Sequence, residues 1–365
     1  MRLMITAGTV GGIGLRKDAP YRDVQWMEKV NPGVAAFLNA LASKVLHNED
    51  LLGAVLTGST SRKEETYILV NGEKRLLSDI EVFFVVRKRE NIDAYRREIS
   101  RTILMLFENY LEQFFTNFSK VDFSVYSLSQ IRHMDRRFIH FETKACGVQF
   151  LGAMDILHEM PEITLSNLNW AELLTVPIHR FFSVISSFES ESELFRRYAL
   201  CRNMLDLVTV ILPYEGYLVP TYRKRLEVFS KIYLRTSLTK FFPTTDLLDT
   251  LEYCYKFKLN PDVEEEKISY RDLLSFFLES FVNLKRYLEE RNKGNSFLID
   301  KRGIMRSLIR LSVSNLSMEL RKPLLLEKLY EKMKYIIELQ IVCPDQCLPG
   351  DLLGEVKSSY KQLFG

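Results

Sequence analysis

The sequence predicts an α+β protein in which a mixed sheet with flanking helices is followed by an all-helical part. The chain has 365 residues, and 47% of them are hydrophobic while 27% are charged, which is ordinary globular composition. From about residue 167 onward the apolar residues recur at helical spacing. The length allows two domains, and we expect residues 1–160 and 161–365 with a boundary near Pro161. The strand-like runs all lie in the first of these parts, at 54–57, 67–70, 73–77, 79–86 and 120–126.

The first part reads as an alternation of helices and strands. A helical pattern over 22–48 is interrupted near Pro32-Gly33, and an apolar strand at 54–57 breaks at Gly58-Ser59. Asn71-Gly72 predicts a hairpin with a type I′ turn, because both central residues tolerate positive φ. A buried strand follows over 79–86, then an amphipathic helix over 91–118 and an alternating strand over 120–126.

Acidic residues mark the start of two of these strands. Asp79 and Glu81 are two residues apart, so in a strand they project from the same face. Asp122 lies on the polar face of the alternating strand, which a sheet would place beside the first pair. Carboxylates that share one site repel each other, and a divalent cation would relieve the repulsion.

The second part predicts helices separated by prolines. Residues 167–187 carry a helical apolar face, and we expect Pro177 to kink or split that helix. The further predicted helices are 193–212, 222–234, 245–257, 270–292, 301–319 and 324–341.

Bulk properties exclude several classes of protein. No apolar run is long enough to cross a bilayer, and the N-terminus lacks a signal-peptide core, so we expect a cytoplasmic protein without a membrane partner. The five cysteines are scattered, which predicts reduced thiols. The net charge of +3 neither demands nor excludes a nucleic-acid partner.

Glycines near the N-terminus imitate a dinucleotide-binding turn. Gly8, Gly11 and Gly14 follow a short apolar run, as an NAD-dependent oxidoreductase would require. Such a turn needs a helix directly after the glycines, and Arg16 to Pro20 is a poor helix start. We interpret this stretch as a loop, with contact to a phosphate over the active site as the alternative.

The order Gly58-Ser59, Asp79-Ile-Glu81 and Val121-Asp122-Phe123 resembles the nucleotidyltransferase superfamily that includes DNA polymerase β and the aminoglycoside nucleotidyltransferases. The resemblance covers roughly residues 50–155, and Phe141 to Gly152 is similar to the helix and short strand that end the family's domain. The spacer before Asp79 is longer than the commonest family spacing, which the hairpin accounts for. Glu81 stands where Asp is commoner in the family.

The resemblance implies transfer of an NMP from a nucleoside triphosphate to a hydroxyl acceptor, with pyrophosphate released. Asp79, Glu81 and Asp122 would hold two Mg²⁺ ions, for which Mn²⁺ is an alternative. Ser59 would grip the β- or γ-phosphate, Gly58 would allow its close approach, and Arg62 is either a phosphate contact or a surface charge. A non-catalytic nucleotide-binding or nucleotide-sensing module on the same fold is the rival interpretation.

The roles of two further residues and the identity of the acceptor each have alternatives. Arg202 and Asp206 share one helix face at i and i+4, which fits either contacts to the triphosphate and acceptor or an intrahelical ion pair. The acceptor is a small molecule, an RNA 3′ end or a protein, and the sequence does not define the oligomeric state.

Overall fold

The computed structural model describes residues 31–45, 49–116, 119–190, 192–243, 246–262, 268–291, 330–338 and 350–364. Two compact units share these residues, and their boundaries interleave along the chain. The first unit comprises the described residues up to Lys63 together with Ser78–Met134 and Cys146–Pro161. The second comprises Glu64–Leu77, Asp135–Ala145 and the described residues from Glu162 onward.

The predicted α+β class is confirmed, since a small mixed sheet is combined with many helices. The described strands are β1 (Leu51–Thr57), β2 (Tyr67–Val70), β3 (Glu73–Leu76), β4 (Ile80–Val86), β5 (Val121–Ser127) and β6 (Val148–Leu151). The helices before residue 160 are α1 (Pro32–Val45), α2 (Gly58–Ser61), α3 (Ile92–Phe114), α4 (Leu128–Arg132), α5 (Phe138–Cys146) and α6 (Ile156–Glu159). All of them belong to the first unit except α5, of which all but the last residue belongs to the second. Those of the helical part are α7 (Trp170–Ser187), α8 (Glu193–Tyr214), α9 (Tyr222–Tyr233), α10 (Leu238–Phe241), α11 (Asp246–Leu259), α12 (Tyr270–Arg291), α13 (330–338) and α14 (Gly350–Phe364).

The first unit is built on a four-stranded sheet with the order β5-β4-β1-β6. Strand β1 pairs antiparallel with β4 and with β6, while β4 and β5 are parallel. Parallel neighbours need a long crossover, and α3 provides it between β4 and β5. The carboxyl end of β1 therefore lies at the same edge of the sheet as the amino ends of β4 and β5.

The two faces of this sheet bury different helices. Val55, Phe83 and Val85 point to one face and pack with Ile131 of α4 and Ile156 of α6. Helices α1 and α3 also contact the sheet, at β6 and β5 respectively. Phe37 of α1 is in edge-to-face contact with Tyr110 of α3 at 6.1 Å and with Phe115, the residue after α3, at 5.9 Å. Helix α1 begins at Pro32 because the Asn31 side chain accepts a hydrogen bond from the backbone N–H of Gly33 at 2.7 Å. The interruption predicted near Pro32 is thus the start of the described helix, and 22–30 lie outside the described residues.

The hairpin predicted around Asn71-Gly72 is confirmed, and it belongs to the second unit. Asn71 has φ 56° and Gly72 has φ 79°, the combination that a type I′ turn requires. The segment before the hairpin is anchored in its own unit at Glu64. The Glu64 carboxylate accepts a hydrogen bond from the backbone N–H of Arg223 at 3.0 Å, and its carbonyl accepts one from the buried Lys258 ammonium.

Helix α8 forms the centre of the second unit. Sixteen of its residues are buried, and α7, α9, α11 and α12 contact it. The predicted break at Pro177 is wrong as a split, because α7 runs continuously through this proline from Trp170 to Ser187. The predicted helix over 324–341 is described only at 330–338, and 301–319 lie outside the described residues.

Helix α14 was not predicted, and it is held by aromatic contacts to α7. Tyr360 stacks on Phe182 with ring centroids 3.7 Å apart, and its hydroxyl lies 2.7 Å from Nδ1 of His179. Burial, reinforced by the charge of Arg180, lowers the pKa of His179 to about 4. His179 is therefore neutral at ordinary pH.

The described residues include three of the five cysteines. Cys146, Cys201 and Cys254 are free thiols, while Cys343 and Cys347 lie outside the described residues. None of the helices described is both long and apolar enough to cross a membrane. The glycine-rich stretch from Gly8 to Gly14 also lies outside the described residues.

Candidate functional site

A row of three polar residues crosses the first unit's sheet near one edge. Thr57 on β1 pairs with Glu81 on β4, and Glu81 pairs with Asp122 on β5. Directly paired residues of adjacent strands point to the same face, and the strands lie about 4.8 Å apart. Glu81 is half-buried and Asp122 is exposed, so the two carboxylates are side by side where the apolar face of the sheet ends.

Asp79 lies at the same edge, one residue before β4. It is half-buried, and the next residue, Ile80, donates its backbone N–H to the carbonyl of Lys120 at 2.9 Å. This bond continues the parallel register back to the level of Asp79 and Lys120. Asp79, Glu81, Lys120 and Asp122 therefore all lie at the amino ends of the neighbouring strands β4 and β5.

Gly58 is required by its backbone and by its neighbour. It follows β1 with φ +74°, a conformation that favours glycine. A Cβ added here would lie 2.7 Å from Cδ and 2.8 Å from Oε1 of Glu81. The Glu81 carboxylate thus lies against the Gly58 main chain, which any side chain at position 58 would prevent.

Ser59 lies in, and Arg62 directly follows, a short helix at the predicted break of the strand. Helix α2 starts directly at Gly58, and Ser59 is half-buried in it. Arg62 forms its C-cap, with a backbone N–H that donates to the Ser59 carbonyl at 3.2 Å. Both residues therefore lie within four positions after Gly58, in the segment that follows β1.

Asp122 already has a cationic partner on its own strand. The Lys120 ammonium lies 2.7 Å from Oδ2 of Asp122, and both side chains are more than half exposed, at 61% and 53%. Residues two apart on a strand share a face, which explains why the two side chains meet. Lys120 therefore belongs to the site, although it was not among the predicted site residues.

The donor set suits a hard cation, although the side chains do not form a closed metal cage. Carboxylate oxygens are the ligands that Mg²⁺ prefers. Among the residues that the structure describes, no group of three or more His, Cys, Asp or Glu side chains is arranged to hold a metal ion. The chemistry of the row fits a divalent ion, and binding would require Asp122 to leave Lys120.

The other two predicted residues, Arg202 and Asp206, belong to the second unit. Arg202 is half-buried on α8, whereas Asp206 is 4% exposed. The Asp206 carboxylate lies 2.6 Å from Nε of Arg180, and it accepts hydrogen bonds from the Tyr222 hydroxyl at 2.9 Å and from Thr209 at 3.1 Å. Their predicted contacts to a nucleotide stay a prediction, and the contacts of Asp206 support a structural role.

The hydrogen bonds of Asp206 extend to a second buried charge, Arg225. Its guanidinium donates to the Thr209 hydroxyl at 2.9 Å and pairs with the Glu142 carboxylate. Arg225 is 1% exposed and also lies over the Phe138 ring at 4.8 Å. These partners come from distant parts of the sequence, so no local pattern indicates them. Lys120, in contrast, could have been found from its spacing of two residues to Asp122.

Comparison with known proteins leaves the chain unassigned, since no family model, no curated protein and no solved structure matches it.

Proposed function

We propose that the chain is a metal-dependent nucleotidyltransferase, which moves an NMP from a nucleoside triphosphate to a hydroxyl acceptor and releases pyrophosphate. The observation that carries this proposal is the register that sets Glu81 beside Asp122 across two parallel strands. Asp79 lies at the same edge, and Gly58 brings the end of β1 against Glu81. The proposal thus rests on the local geometry of the first unit and on the resemblance of its motifs.

The carboxylates would act as the ligands of divalent ions. Asp79 and Glu81 would hold the ions on the side of the triphosphate, and Asp122 would hold the one nearer the acceptor hydroxyl. Bound divalent ions would stabilise the negative charge on the entering and leaving oxygens. Asp122, which is exposed, is also the carboxylate that could accept the proton of the acceptor hydroxyl.

The residues after β1 would contact the phosphates. The absence of a side chain at Gly58 lets a ligand approach the main chain, and the Ser59 hydroxyl and N–H are donors suited to a phosphate oxygen. Arg62 would add a charge-assisted hydrogen bond from the same short segment. The acceptor is a small molecule, an RNA 3′ end or a protein.

Transfer of a labelled NMP tests the proposal. The protein is incubated with the four α-³²P-labelled nucleoside triphosphates, Mg²⁺ or Mn²⁺, and pools of RNA, small hydroxyl compounds and protein. We expect incorporation by the wild-type chain and none by Asp79→Asn or Asp122→Asn. Asp93→Asn is the matched control, because Asp93 is an exposed residue of the same unit that pairs with Arg96 at 3.1 Å. Equal incorporation by all these variants would contradict the proposal.

A nucleotide-binding module without catalysis is the second candidate. It is favoured by the partners that the carboxylates already have, since Asp122 is paired with Lys120 and Glu81 lies against Gly58. Such a module would bind a nucleoside triphosphate without turnover. Saturable binding by calorimetry, with no pyrophosphate released over hours, would favour the module over the enzyme.

A further inference from the structure

Lys120 is a cation that contacts the carboxylate a metal would need, Asp122. Lys120 lies 2.7 Å from Asp122, and its carbonyl is fixed to the N–H of Ile80 at 2.9 Å. The Lys120 backbone is thus fixed in the β4–β5 pair, and its ammonium is bound to the site by the ion pair with Asp122. The register also sets the Lys120 backbone level with Asp79 on the neighbouring strand.

The charges explain why a cation is needed here. Three carboxylates at the amino ends of two strands carry a formal charge of about −3, and their mutual repulsion opposes folding. The Lys120 ammonium compensates one of these charges, as a divalent ion would compensate two. Both cations therefore draw on the same carboxylate oxygens, and Asp122 is the residue for which they compete.

We propose that Lys120 is an internal counter-ion that competes with divalent metal for Asp122 and so sets the metal affinity of the site. This inference rests on the proposed function, because it assumes that Asp79, Glu81 and Asp122 bind metal. In the metal-free protein Lys120 holds Asp122 and lowers the repulsion. When the ion binds, Asp122 turns to it and the ammonium withdraws.

The exposure of the pair sets the size of the effect. An exposed ion pair is weak and is readily broken, so Lys120 tunes the affinity without blocking binding. Removing its charge eliminates the competing pair and the repulsion between ammonium and metal. We expect metal affinity to rise roughly three- to tenfold.

Direct titration with Mn²⁺ tests the inference without any need for turnover. Binding is followed by calorimetry and by the electron paramagnetic resonance signal of unbound Mn²⁺, with Mg²⁺ as competitor. Lys120→Met should tighten Mn²⁺ binding roughly three- to tenfold, and Lys120→Arg should stay within about twofold of wild type. Lys88→Met is the control, because Lys88 is an exposed lysine beyond the opposite end of β4.

The outcomes separate this inference from the proposed function. If wild type binds Mn²⁺ and Lys120→Met binds it no more tightly, the counter-ion inference is overturned while the metal site stands. If neither protein binds Mn²⁺ at millimolar concentration, the metal site itself fails. Tighter binding in Lys120→Met alone, lost again when Asp122→Asn is added, supports competition for Asp122.

Discussion

Replacing Gly58 by alanine separates the two demands that the structure makes on this residue. The first is its φ of +74°, which costs a non-glycine residue about 1–2 kcal/mol. The second is space, because the new Cβ would lie 2.7 Å from Cδ of Glu81. A carboxylate at the end of a flexible side chain can move away, so we expect the free energy of unfolding to fall by about 1–2 kcal/mol. The displaced Glu81 should weaken Mn²⁺ binding roughly tenfold or more.

Gly72→Ala is the matched control for this variant. Gly72 has φ +79° and no atom within 4 Å of the position of a Cβ, so alanine meets the backbone cost alone. Urea unfolding should show similar losses for both variants, while Mn²⁺ titration should show weaker binding only in Gly58→Ala. Equal Mn²⁺ affinity in the two variants would refute the placement of Glu81 as a metal ligand against Gly58.

The remaining predictions concern stability. Gly152→Ala should cost at least about 3 kcal/mol by urea unfolding, because Gly152 has φ +100° and a Cβ there would lie 2.1 Å from the main-chain oxygen of Leu52, which cannot swing away; wild-type stability would contradict this. The unfolded state should bind the His179 proton below about pH 6.5, whereas the folded state binds it only near pH 4, so stability present above pH 6.5 should fall by about 3 kcal/mol on acidification. His179→Gln should flatten that dependence in unfolding curves measured from pH 7 to 4, and an unchanged slope would argue against a buried neutral imidazole. Asp206→Ala should cost about 3–5 kcal/mol because it leaves the Arg180 charge without this partner, and Asp206→Asn should cost less; normal stability with lost nucleotide binding would instead restore Asp206 as a ligand residue.

Features that depend on a few neighbouring residues were predictable from the sequence. Asn71-Gly72 specifies its hairpin because few residue pairs tolerate two positive φ angles. The alternation around Asp122 indicated its exposed face because the period of a strand is two. The alternation and a shared sheet also predicted Asp122 beside the first carboxylate pair, whereas the exact pairing of Glu81 with Asp122 depends on the strand order and register, which no local pattern fixes.

Features that depend on tertiary contacts were not predictable in the same way. Helix α7 tolerates Pro177 because the helix is packed along its length, which local propensity does not register. Helix α14 contains glycine and serine residues that weaken its intrinsic preference, and its contacts to Phe182 and the burial of Val356 support it. The partners of Asp206 at Arg180, Tyr222 and Thr209 likewise meet only after folding.

The interleaved boundaries of the two units limit how the protein can be dissected. The polypeptide passes from one unit to the other at 63/64, 77/78, 134/135, 145/146 and 161/162. A fragment that ends at residue 160 would keep Glu64–Leu77 and Asp135–Ala145 but lose most of the helices with which they are grouped. Leu77, which is 3% exposed in a core made mainly of those helices, would then face water. Limited proteolysis after residue 161 should therefore yield two pieces that remain associated. Only a redesigned or circularly permuted chain could contain the four-stranded sheet without segments of the second unit.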